Sequence, residues 1–232
     1  MDESKAENLA RALAAWIDYQ VLCGRKDLLS EMYLGIPIGE FLLSKSTWKL
    51  KSEREHPLFR TTKKGRPRQT DYVVLSRDKE RPICALELKW IDKNPNRQNV
   101  INDILRLDCW HSVDGQSMNR FLIMVSLDEN FENFKDLEFN NKNGKRINFY
   151  KELFPAKGLK MQLDIKNCKH RGLKEFYKEF YDTYETELPS SLQIKCIGFF
   201  DSEYPKRTVV IWRISNSKKR STFKPDPEWL KN

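Results

Sequence analysis

The sequence has no apolar run approaching the roughly 20 residues needed to cross a bilayer, no CxxC pair and no internal repeat. The first absence argues against a helical membrane protein. The five cysteines, Cys23, Cys84, Cys109, Cys168 and Cys196, are odd in number and scattered, which points to reduced thiols rather than a disulfide framework. Histidine is scarce as well. Cys168-Lys169-His170 would make half of a zinc site, but no second pair has suitable spacing. His56 and His111 have no evident partners and read as structural or surface residues. The opening Met1-Asp2-Glu3-Ser4 is acidic and does not read as a secretory leader, so a cytoplasmic location is expected.

What the chain does have is charge. Charged residues make up 32% and apolar ones 39%, as in a globular protein with a polar surface, and 232 residues suffice to bury one sizeable core. The net charge is 42 − 33 = +9, with an isoelectric point near 9.2. A basic surface favours polyanionic partners, because phosphate contacts release counterions. The excess is local. Lys45 to Arg68 holds nine Lys/Arg against Glu53 and Glu55, and the run ends three residues before Asp71.

Hydrophobic spacing sets the organisation. Leu9, Leu13, Trp16 and Ile17 make one stripe of a helix over Ala6–Leu22, which Gly24 is placed to end. A second helical stretch runs from about Lys26 to Ser44, with a bend or split near Pro37. Thr47–Glu55 alternates as a strand with one charged face. Gln69–Ser76 and Pro82–Ile91 are strands with nearly continuous apolar runs, as expected when both faces are covered. Asn94-Pro95 opens a helix with Val100, Ile101, Ile104 and Leu105 on one face, and Phe121–Leu127 is another strand. Residues 128–160 read as a long irregular excursion. Gly172–Glu187 is an amphipathic helix whose Phe/Tyr stripe is a packing face; Leu192–Phe200 and Arg207–Ile214 are late strands, and the tail from Ser215 is loose. The expectation is an α/β fold, a mixed central sheet flanked by helices. Residues 1–127 would form the N-terminal helices and core, and 128–232 would complete the sheet or form a small accessory subdomain.

Asp71, Glu87 and Lys89 stand on the two central strands. Strand alternation puts Glu87 and Lys89 on one face, and a hairpin brings Asp71 towards it. Two carboxylates there suit a hard divalent cation such as Mg²⁺ or Mn²⁺, whose bound water is a better nucleophile and whose charge offsets that building on a phosphoryl oxygen. The Lys89 ammonium would orient that water or stabilise the pentacoordinate phosphate. Burying Glu and Lys in an apolar strand is costly unless they are paired or bind an ion.

Thr70-Asp71, followed by Glu87-Leu88-Lys89, resembles the motif of the PD-(D/E)xK nuclease superfamily, with its restriction-endonuclease-like fold. The resemblance spans residues 26 to 127 and includes the order of helix, strands and helix; the usual proline before the aspartate is Thr70 here. It implies that Asp71 and Glu87 bind metal and that Lys89 assists the attacking water. It also implies a carboxylate from the preceding helix, with Glu31 the better fit and Glu40 the rival. Gln98, on the helix after Lys89, is a further candidate. Lys63-Lys64-Gly65-Arg66-Pro67-Arg68 resembles the core of an AT-hook, and Lys63, Lys64, Arg66 and Arg68 read as a basic loop gripping phosphates beside the site. The expected activity is metal-dependent hydrolysis of DNA phosphodiester bonds by an endonuclease, in restriction, antiviral defence or mobile-element biology. The alternatives are a non-catalytic nucleic-acid-binding protein of the same fold and an RNA-directed nuclease. A homodimer would supply two sites for two strands, and an activating partner or ligand is a further expectation.

Overall fold

The computed structural model describes residues 1–44, 47–59, 69–91, 97–110, 118–127, 130–131, 134, 138–140, 146–148, 158, 160–169, 171–202, 207–215 and 221–231. The basic loop with Lys63, Lys64, Arg66 and Arg68, the Asn94-Pro95 helix start, His111 and His170 lie outside these residues.

Helix α1 spans Glu3–Leu22. Its N-terminus is capped by Asp2, which accepts from Lys5 N at 2.8 Å, and it buries Leu9, Leu13 and Ile17 along one stripe. Gly24 follows with φ +73°, the left-handed conformation that closes a helix at little cost. The next segment departs from the expected bend at Pro37. One 3-10 turn (Lys26–Leu28) is followed by a break at Leu29–Ser30, and α2 then runs through Pro37 from Glu31 to Leu43. Pro37 deletes a single intrahelical hydrogen bond, whereas a new helix start needs a cap. Ser30 supplies it by accepting from Tyr33 N.

The main sheet is built from β1 (Trp48–Glu55), β2 (Gln69–Ser76), β3 (Pro82–Ile91), β4 (Asn119–Leu127), β7 (Lys160–Asp164), β9 (Ser191–Ser202) and β10 (Arg207–Ser215). Their order is β1-β2-β3-β4-β10-β9-β7. The β3–β4 pair is parallel, joined across α3 (Arg97–Cys109), and its neighbours are antiparallel. This is the mixed α/β sheet flanked by helices that the hydrophobic pattern called for. Both faces are covered. Val74, Cys84, Leu86 and Leu88 pack with α1 and α2 in one core, and Val73, Ala85 and Ile91 pack with α3 and α4 (Arg171–Tyr184) in the other. Tyr177 and Phe180 of the aromatic stripe are buried in that second core.

The excursion after β4 holds a two-stranded piece, β5 (Glu138–Asn140) with β6 (Arg146–Asn148), too short for a periodic signal. Elsewhere β8 (Leu188–Pro189) pairs β11 (Thr222–Phe223). The tail is therefore not loose where it is described. Helix α5 (Pro227–Lys231) is held by Trp229, whose Nε1 donates to Lys166 O and whose carbonyl accepts from the buried Lys174. Packing of one tryptophan fixes a segment whose composition alone reads as irregular.

Candidate active site

The site begins where two strands part. The β2–β3 ladder ends at Tyr72↔Leu86, yet β3 stays paired to β4 from Cys84↔Asn119 through Ile91↔Ser126. The last turns of β3 therefore expose one edge, with Leu88 N and Trp90 N as donors that must be satisfied. Asp71 Oδ2 accepts from Leu88 N at 2.7 Å, and Glu31 Oε2, from the first turn of α2, accepts from Trp90 N at 3.2 Å. Two carboxylates continue the ladder in place of a strand. Thr70 is buried beside them, and its hydroxyl accepts from Trp110 Nε1 at 2.7 Å, which anchors the start of β2.

Glu87 and Lys89 point from the same side of β3 onto α3. Glu87 is 1% exposed, and its Oε1 lies 3.3 Å from Arg106 Nη2. Lys89 Nζ lies 3.1 Å from Asp103 Oδ2 and 3.5 Å from Glu31 Oε1. Asp103 and Arg106, one turn apart on α3, are themselves paired. The structure thus brings Asp71, Glu87, Lys89 and Glu31 together. Of the two helix carboxylates, Glu31 is in the cluster and Glu40 is exposed nearer the end of α2. Gln98 is engaged elsewhere. Its amide donates to Asn102 Oδ1 and to Phe176 O on α4.

Asp103 and Arg106 escaped the sequence reading. A signal existed: Asp103 falls at i+3 from Val100 and i−4 from Leu107, a carboxylate on the buried stripe of α3.

The electrostatics are unbalanced. Four carboxylates (Glu31, Asp71, Glu87, Asp103) face two cations (Lys89, Arg106), leaving two negative charges over. Burial pushes the Glu87 carboxyl well above the usual range against the pull of Arg106, and the negative charges of Asp103 and Asp71 push the same way. Asp103 and Glu31 are raised for the same first reason, burial. Burial works against the Lys89 ammonium, but Asp103 and Glu31 outweigh it and its pKa rises. Arg106 is raised likewise by Asp103 and Glu87.

A cleft of about 420 Å³ opens on the Glu31 and Asp71 side, floored by Leu88 and walled by Gly35, Tyr72 and Glu53. Tyr72 Oη donates to Gly35 O at 3.1 Å, and a Cβ at Gly35 would sit 2.6 Å from that oxygen, so a glycine is what lets α2 approach β2 here. Glu53 lies between the pairs Ser52↔Tyr72 and Arg54↔Thr70 with φ +48°, a conformation costing about 1–2 kcal/mol for a residue with a Cβ. His56 is buried behind the site. Its Nδ1 accepts from Leu58 N, so Nε2 donates to Arg106 O, and burial lowers its pKa to about 3.

The donor set is of the hard-oxygen kind that Mg²⁺ takes, and the surplus negative charge is a demand for a cation. As the side chains stand, no group of three or more His, Cys, Asp or Glu among the described residues is arranged to hold a metal ion. The reason is visible in the contacts above: the carboxylates are turned onto Leu88 N, Trp90 N, Lys89 and Arg106. Comparison with protein-family models, with curated proteins and with solved structures gives no match. Among the described residues, no helix is long and apolar enough to cross a membrane.

Proposed function

We propose that this chain is a divalent-cation-dependent endonuclease of the PD-(D/E)xK, restriction-endonuclease-like kind that hydrolyses DNA phosphodiester bonds. The observation that carries the reading is the convergence of Asp71, Glu87 and Glu31 around the parted end of β2 and β3, with Lys89 one pleat from Glu87 and a surplus of two negative charges. Asp71, Glu87 and Glu31 would hold the cation. When bound, Mg²⁺ or Mn²⁺ would supply charge to a phosphoryl oxygen and acidity to a water.

The chain's own residues do the rest. Leu88 N and Trp90 N orient the Asp71 and Glu31 carboxylates through one oxygen each, and the second Glu31 oxygen faces Lys89 at 3.5 Å. Lys89 presents an ammonium that is 20% exposed at the rim of the cluster, able to hold the attacking water or the developing phosphorane charge. The basic run that includes Lys63, Lys64, Arg66 and Arg68 joins Phe59 to Gln69 and so arrives two residues before Asp71; it would grip phosphates without reading sequence.

A second reading has one observation in its favour. Glu87 and Lys89 already have protein partners in Arg106 and Asp103, as a non-catalytic nucleic-acid-binding protein would require. The two are separated by incubating plasmid and single-stranded DNA with Mg²⁺ or Mn²⁺ beside the Glu87→Ala and Lys89→Ala proteins. Metal-dependent cutting that both substitutions abolish, with DNA binding retained, is the expected outcome. Salt-dependent binding without cutting under any metal would hand the chain to the second reading. Single-stranded RNA in the same assay distinguishes the nucleic acid.

A further inference from the structure

Asp103 lies on the apolar stripe of α3, 2% exposed, where a lone carboxylate would be costly. Each of its oxygens faces a different cation. Oδ1 is held by Arg106 on the next turn, and Oδ2 lies 3.1 Å from Lys89 Nζ. Arg106 in turn reaches Glu87 Oε1. A chain of four charges, Lys89–Asp103–Arg106–Glu87, therefore runs from one strand residue to the other through two helix residues.

We propose that Asp103, locked by Arg106, is the positioning residue for Lys89; the inference rests on the nuclease reading above. Three features assign the role to Asp103 rather than to Glu31, the other carboxylate near that ammonium. Asp103 is nearer, 3.1 against 3.5 Å, and its side chain is 3% exposed against 44%, so its attraction is less screened by water. Its own position is fixed by a second cation, whereas Glu31 Oε2 is committed to Trp90 N. A lysine on a four-carbon stem loses much rotamer freedom when held, and Asp103 makes that loss before substrate arrives. Misplacing a reacting group by about 1 Å can cost on the order of a hundredfold in rate.

The test is made on the full chain with two readouts. In steady-state cleavage of plasmid with Mg²⁺, Asp103→Asn is expected to lower kcat by about ten- to a hundredfold with KM unchanged, and Asp103→Glu to recover part of the loss. In ¹H–¹⁵N spectra tuned to lysine ammonium groups, the Lys89 signal, assigned by its loss in Lys89→Ala, is expected in wild type and in Glu31→Gln and to vanish in Asp103→Asn. Should Asp103→Asn not fold, Asp103→Glu carries both readouts, since it keeps the charge and displaces it by one methylene.

Wild-type cutting together with wild-type kcat in Asp103→Asn overturns the assignment and leaves the nuclease reading standing. An ammonium signal that disappears in Glu31→Gln and persists in Asp103→Asn overturns it too, in favour of Glu31. A wild type that never cuts with either metal, while its ammonium signal still depends on Asp103, overturns the nuclease reading and with it the catalytic purpose of the contact.

Discussion

Helix α3 carries two buried ionic clusters on neighbouring turns, and they differ in their arithmetic. Near the C-terminal end, Asp108 pairs with Arg120 of β4: Arg120 Nη1 lies 3.0 Å from Asp108 Oδ1 and donates to the Asp108 carbonyl at 2.9 Å, with the Arg120 side chain 8% and the Asp108 side chain 0% exposed. One turn earlier, Asp103 and Arg106 belong to a group with two more carboxylates than cations. The Asp108–Arg120 pair brings one carboxylate to one guanidinium and ties a helix to a strand. An unmatched group holds raised carboxyl pKa values and remains ready for a further cation. Burial alone does not separate them; the charge left over does.

The contrast breaks most sharply by mutation. Asp108→Asn removes the buried carboxylate that faces Arg120 and is expected to cost about 3–5 kcal/mol in urea unfolding. Glu87→Gln is expected to abolish cleavage while costing less than about 1.5 kcal/mol, because Arg106 keeps Asp103. Equal costs for the two would erase the distinction.

Cation addition sharpens it next. At a hundred times Kd, Mg²⁺ should stabilise wild type by about 2.7 kcal/mol, read as a rise in melting temperature. Glu87→Gln should lose most of that rise, and a conservative change at the Asp108–Arg120 pair should not alter it.

The approach of α2 to the cleft gives a third, smaller effect. Gly35→Ala, with its Cβ 2.6 Å from Tyr72 Oη, is expected to cost about 1–3 kcal/mol and to weaken cation binding by shifting Glu31. Gly39→Ala, on the same helix, meets no atom within 4 Å and should be neutral or mildly stabilising.

His56 supplies the pH test. Its folded pKa, about 3, lies below the ordinary imidazole value of 6.5, so the unfolded chain binds the proton first. The stability it contributes is complete above pH 6.5 and is lost progressively as pH falls towards 3. Unfolding at pH 7 and pH 5 should show that loss in wild type and a smaller one in His56→Phe. A change from pH 7 to pH 5 that is the same in wild type and in His56→Phe would remove His56 as a neutral packing residue behind Arg106.

Much of this was legible beforehand because it is written locally. The limits of β2 and β3 followed from apolar runs and their flanks, the α1 stripe from a 3.6-residue period, and the side shared by Glu87 and Lys89 from the two-residue period of a strand. Glu31 came from the resemblance to a motif. Asp103 and Arg106 were passed over because a charged residue on a helix normally faces water, and its burial depends on what packs against it. Gln98 was equally plausible by helix position, and it went instead to the Phe176 carbonyl of α4, seventy-eight residues away. The α2 start at Ser30 and the docking of Trp229 were settled the same way, by a cap and a packing partner that spacing does not reveal.

The sequence by itself determined the alternation of helices and strands, the two-sided burial of β3 and the placing of Asp71, Glu87 and Lys89 near one another, since each rests on periodicities a few residues long. Only the tertiary structure decided that β3 outruns β2, that Asp71 and Glu31 fill the vacated edge, and that α3 delivers Asp103 and Arg106 against Lys89 and Glu87. Those outcomes depend on where strands stop pairing and which helix face meets them, and the charge balance of a buried site exists only once all its contributors are in place.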